Sequence, residues 1–94
     1  MRAIIKNGTA VAVRNVPAPV IENDDDVVIG VELAGLCRTD VFAAEGRIKT
    51  PDSLILGHEF SGYVEKTGTR AGAFKKGDRV TVMPVMPCGA CRHC

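Results

Sequence analysis

Ninety-four residues, 46% of them hydrophobic and 24% charged, allow one compact core and leave no room for a second, nucleotide-binding domain. Twelve Lys and Arg against eleven Asp and Glu leave a net charge of +1, the balance of a globular chain with no electrostatic footprint for nucleic acid. The start, Met1-Arg2-Ala3-Ile4-Ile5-Lys6, meets charge too early for a signal-peptide core, and no later apolar run approaches the roughly 18 residues of a membrane span. A soluble, cytoplasmic protein without a membrane partner is expected.

From Ala3 to Val13, β-branched residues flank Asn7-Gly8, a dipeptide that accepts the positive φ of a two-residue hairpin turn. A β-hairpin is predicted there. The acidic run Glu22 to Asp26 reads as a solvated turn, and Val27 to Leu33 as a strand whose Gly30 marks a bulge or a close backbone approach. Thr39 to Glu45 is the one helical stretch, with Thr39 or Asp40 as its cap and Gly46 as the residue that ends it. Glu59 to Glu65 and Arg79 to Val85 read as strands, with the turn Lys75-Lys76-Gly77-Asp78 between them. Five strand-like runs and one short helix predict a mostly β fold, a small barrel or partial barrel.

Cysteine placement argues against disulfides. Cys37 stands alone, whereas Cys88, Cys91 and Cys94 form C-x2-C-x2-C on a stretch with Pro84, Pro87 and Gly89, where a loop can wrap its sulfurs around one ion. A closed structural zinc site takes four N or S ligands, so a fourth is needed; His93 would have to double back beside Cys94 to serve. An iron–sulfur cluster and three unliganded thiols are the alternatives. Cys37 and His58 offer a thiolate and an imidazole, with carboxylates nearby at Asp40 and Glu59, a mixture that suits zinc with an open coordination position. One carboxylate can fix the histidine tautomer, as metal-bound histidines usually require. In a regular strand Glu59 would point away from His58, so its approach to the same ion needs a bend, for which Gly57 and Gly62 give latitude. The plainer readings are a core cysteine, a helix cap at Asp40 and an exposed strand charge at Glu59.

Gly57-His58-Glu59 followed by Gly62, Gly68 and Ala71 fits the pattern G-H-E-x2-G-x5-G-x2-A, and with Gly35-Leu36-Cys37-Arg38-Thr39-Asp40, Gly77-Asp78-Arg79-Val80 and Cys88-Gly89-Ala90-Cys91-Arg92-His93-Cys94 the chain resembles the zinc-dependent alcohol dehydrogenases of the medium-chain dehydrogenase/reductase family. That resemblance implies a GroES-like partial β-barrel, of which residues 1–94 are the N-terminal part, stopping inside the structural-zinc lobe, with a Rossmann domain to follow. It implies Cys37 and His58 as catalytic-zinc ligands, Glu59 as a transient or supporting ligand, Thr39 as the hydroxyl on the substrate oxygen, and Asp40 as the carboxylate orienting His58. Cys88, Cys91 and Cys94 match three structural-zinc ligands, and Arg38 a basic residue on the cofactor pyrophosphate, or else a solvated helix-start charge.

The implied activity is zinc-assisted hydride exchange between a small alcohol, aldehyde or ketone and NAD or NADP, in a homo-oligomeric enzyme, with the 94 residues inactive by themselves. Phe42 departs from the family pattern, standing where many members have a proton-passing histidine. Two other readings remain. A stand-alone zinc-binding or interaction module would use both metal groups structurally. A zinc hydrolase with Glu59 as base lacks the second histidine of the metalloprotease spacing.

Overall fold

The computed structural model describes residues 1–93, and the expected ligand Cys94 lies outside the described residues. Two hairpin strands open the chain, β1 (Arg2–Asn7) and β2 (Ala10–Asn15), paired antiparallel from Arg2↔Asn15 to Asn7↔Ala10. The turn is displaced by one residue from the expected Asn7-Gly8. Asn7 still pairs in the ladder, so Gly8 and Thr9 are the turn residues, and only Gly8 has positive φ, at 58°. Glycine first with positive φ is the pattern of a type II′ turn, whose twist matches the flanking strands.

The free side of β1 pairs with a short strand β4 (Ser53–Ile55), Ile5 opposite Ile55 and Asn7 opposite Ser53. Sequence pattern did not predict β4. Three residues are too few to show an alternation, and this strand exists because the edge of β1 offers backbone partners, which Gly8 N–H to Asp52 O (2.9 Å) and Leu56 N–H to Ile4 O (2.9 Å) extend at either end.

The second sheet holds β3 (Val27–Ala34), β5 (Phe60–Thr67) and β6 (Arg79–Thr81) in the order β3-β5-β6, all antiparallel. Register shifts fall between Val28 and Ile29 and between Val31 and Leu33, either side of Gly30. There the two backbones come so close that a Cβ on Gly62 would overlap the carbonyl oxygen of Gly30. Both features anticipated for Gly30 are therefore present. The strand predicted from Arg79 to Val85 ends at Thr81, with one further bond from Val82 N–H to Phe60 O (3.1 Å) before Pro84, which has no N–H to give.

Helix α1 (Arg38–Ala44) follows β3. Its cap is Cys37, in extended backbone at φ −81° and ψ 151°, rather than Thr39 or Asp40, which lie inside the first turn. Asp40 at the third helical position reaches back to the Cys37 N–H (3.2 Å), one arm of a capping box. The helix closes as expected at Gly46, where Gly46 N–H to Ala43 O (3.2 Å) and Arg47 N–H to Phe42 O (2.9 Å) make a Schellman motif.

Two open three-stranded sheets and one short helix make up the described residues, a mostly β, partial GroES-like arrangement rather than a closed barrel. The apolar core is small, with Val28, Ala43 and Val64 buried. No helix among the described residues is long and apolar enough to cross a membrane. The acidic turn before β3 is exposed at Glu22 to Asp25, as expected.

Candidate metal centre

The chain leaves β3 at Ala34, passes Cys37 and enters α1; it later leaves β4 at Ile55 and passes Gly57, His58 and Glu59 before entering β5. These two crossings lie side by side, tied by Gly35 N–H to Glu59 O at 2.7 Å. The sheet order therefore brings together residues 21 positions apart in sequence. Gly57 has φ of 104°, a backbone conformation that residues with a Cβ rarely adopt, and it turns the chain directly before His58. Residues 56–59 are not in a strand, so the alternation that would send Glu59 away from His58 does not apply.

One ligand atom each from Cys37, His58 and Glu59 falls within 4.8 Å of the others. Cys37 and His58 are half-buried and Glu59 is exposed. A thiol, an imidazole and a carboxylate so near one another have the donor chemistry of a zinc site, and bonds of about 2.0 to 2.3 Å in a tetrahedron need these atoms only to draw somewhat closer together. The bend foreseen as necessary for Glu59 is present.

Asp40 is 5% exposed, and its carboxylate sits between the two crossings. Oδ2 accepts the Cys37 N–H at 3.2 Å and Oδ1 accepts the Gly57 N–H at 3.0 Å, while His58 Nδ1 lies 3.3 Å from Oδ1. With Nδ1 facing Asp40, Nε2 is the ring nitrogen left for a metal. The Thr39 hydroxyl lies 3.6 Å from Cys37 Sγ, with the thiol donating, so it borders the same donor group. Arg38 is exposed at the start of α1 and lines a shallow groove with Leu36, Val41, Phe42, Glu45 and Arg47, where the Arg47 guanidinium lies over the Phe42 ring at 5.3 Å.

Cys88 and Cys91 are exposed on a turn-rich stretch around Gly89. Their proposed partner Cys94 lies outside the described residues. Sequence reasoning passed over two backbone contributors, the amides of Gly35 and Gly57. Both glycines stand in the quoted motifs, but nothing in a one-dimensional pattern says that one donates to the Glu59 carbonyl and the other to Asp40.

Residues 23–94 match the family model described as the alcohol dehydrogenase GroES-like domain. The chain is 40% identical to an L-threonine 3-dehydrogenase of Bacillus velezensis over all of its own length and 28% of that relative's. Among solved structures, it is similar to the alcohol dehydrogenase TADH from Thermus sp. ATN1, with 37% identity, TM-score 0.88, and coverage of 100% of this chain and 28% of that one. It is also similar to galactitol-1-phosphate dehydrogenase from Escherichia coli, with 29% identity, TM-score 0.91 and the same coverage. The chain thus spans little more than a quarter of the length of these proteins.

Proposed function

Because the chain belongs to the zinc-type medium-chain alcohol dehydrogenase family with a GroES-like N-terminal domain, we propose that it carries the metal-binding part of a zinc-dependent dehydrogenase that interconverts an alcohol and an aldehyde or ketone with NAD or NADP. The observation that carries this reading is the approach of Cys37, His58 and Glu59 donor atoms to within 4.8 Å of one another. The mixed donor set also favours this reading, since structural zinc sites are mostly built from cysteine and histidine alone.

Cys37 through its sulfur and His58 through Nε2 would hold the ion, and Glu59 would offer a third, exposed carboxylate donor. A zinc held there supplies Lewis acidity, lowering the pKa of an alcohol or polarising a carbonyl. Asp40 receives the imidazole on its Nδ1 side and keeps Nε2 free for the metal. The Thr39 hydroxyl, beside Cys37 Sγ, would accept a hydrogen bond from the substrate hydroxyl and, as it takes that proton, release its own toward solvent. Phe42 has no titratable group, so that proton cannot leave through the side chain at position 42. Arg38, exposed at the start of α1, is assigned to the phosphates of the dinucleotide. Cys88, Cys91 and Cys94 are assigned to a second, structural ion. A C-x2-C-x2-C loop would close around one metal, and such a site would contribute to folding rather than to turnover.

The test is His58→Ala in the intact protein. Lewis-acid stabilisation worth several kcal/mol corresponds to a loss of turnover of at least about a hundredfold, together with loss of one zinc. Nicotinamide binding, followed by fluorescence titration, is expected to persist. Normal turnover at full zinc content would refute the assignment of Cys37 and His58.

A further inference from the structure

Metal-ligating histidines commonly lean on a carboxylate, and such a carboxylate acts through the histidine alone. Asp40 does more than this arrangement needs. Its Oδ2 accepts the backbone N–H of Cys37, the residue that carries the other donor. Its Oδ1 accepts the N–H of Gly57, whose positive φ aims the chain into His58, and faces the ring as well. A carboxylate offers about four lone-pair sites on two oxygens, and here three N–H-bearing groups from two chain crossings converge on it in a nearly solvent-free position.

We infer that Asp40 is a positioning residue for both ligand-bearing segments, fixing Cys37 through its backbone and His58 through Gly57 and the ring. The donor set is thereby assembled by the fold. This inference rests on the reading of Cys37, His58 and Glu59 as a metal site, but its central claim concerns hydrogen bonds that are independent of any ion.

Chemistry makes the claim separable from a histidine-only role. An asparagine at position 40 has nearly the same shape but only one acceptor oxygen. Turned toward Gly57 and His58, its NH2 faces the Cys37 N–H, donor against donor. Turned the other way, it keeps Cys37 and abandons Gly57 and His58. Only a carboxylate serves both crossings at once.

The experiment is Asp40→Asn in the intact protein, read by amide hydrogen exchange after zinc is removed by a chelator and by zinc affinity in a competition titration. Exchange at the Cys37 or the Gly57 amide is expected to quicken at least about tenfold while Val64 in β5 keeps its protection. Zinc affinity is expected to fall about ten- to hundredfold. Weakened zinc binding with both amides exchanging at the wild-type rate would overturn the inference, because Asp40 would then act through His58 alone. If the asparagine variant does not fold, His58→Ala decides. It leaves the carboxylate in place, so both amides should stay protected, and loosening of either would show that His58 rather than Asp40 holds the crossings. Wild-type protein that binds no zinc while Asp40→Asn still loosens an amide would refute the metal reading and leave the double anchoring supported.

Discussion

At the scale of single residues, Asp26 carries the clearest pH dependence. Its carboxylate accepts the backbone N–H of Asn23 at 2.8 Å and of Glu22 at 2.9 Å, and these bonds, Asn23 first, hold its pKa below the ordinary aspartate value. A carboxyl with a depressed folded-state pKa contributes stability that is present above the unfolded value and is lost as pH falls through the folded one. Asp26→Ala should therefore lower the denaturation midpoint at pH 7. The gap from wild type should close as pH falls from about 5 toward 2, and a gap that stays constant over that interval in urea titrations would contradict the assignment. The acidic run was readable as a solvated turn, but not this division of labour. Asp24, Asp25 and Asp26 are chemically alike, and only the path of the chain decides that Asp26 folds back onto Glu22 and Asn23. The metal donors were more legible. A cysteine just ahead of the short helix and a histidine just ahead of a strand are rare enough in kind to be singled out, whereas the double use of Asp40 depends on a contact 17 positions away that no local pattern encodes.

At the scale of elements, the pairing of β3 with β5 is the most demanding feature. A methyl at position 62 would occupy the space of the Gly30 carbonyl, so Gly62→Ala forces the two strands apart. Overpacking of this kind costs about 1 to 3 kcal/mol, and the upper end is expected because the obstacle is backbone and cannot rotate away. Urea unfolding of the variant, with an unchanged midpoint as the contrary result, checks it. Strands with several β-branched residues, β1, β2, β3 and β5, were legible from composition and turns. β4 was not, since Ser53–Ile55 owes its conformation to the edge of β1 rather than to its own residues. The start of α1 was misplaced for a related reason. Thr39 and Asp40 have the side chains of helix caps, but Asp40 acts from inside the first turn on a cap residue, Cys37, whose type gives no such signal.

At the scale of the whole molecule, the surface is larger than a compact monomer of this mass should show. The exposed area is 7511 Å² for 10.0 kDa, against about 5,200 Å² for a compact monomer of that size. Leu33, Leu36, Met83, Val85 and Met86 are each at least 66% exposed. Apolar surface on this scale drives association. Residues 1–94 produced as an isolated chain are expected to self-associate with rising concentration and to bind a hydrophobic dye, and a monodisperse monomer in sedimentation velocity without dye binding would contradict this. Overall architecture was legible because strands and turns announce themselves locally. A partial barrel was anticipated as well, but the extent of uncovered apolar surface was not, because composition reports how much apolar surface a chain has and not how much of it finds cover.

The two ligand crossings also have a mechanical meaning. Cys37 lies just after β3 of one sheet and His58 just after β4 of the other, with α1 and β4 on the chain between them. Any ion shared by Cys37 and His58 thus works as a staple across a loop of about 22 residues, a closure worth about 3 kcal/mol on the scale of disulfide cross-links. Withdrawing that ion would remove a tether as well as a reagent. Segment 38–57 would then rest on the β1–β4 pairing and on the two hydrogen bonds by which Asp40 ties its ends, at Cys37 and Gly57, together.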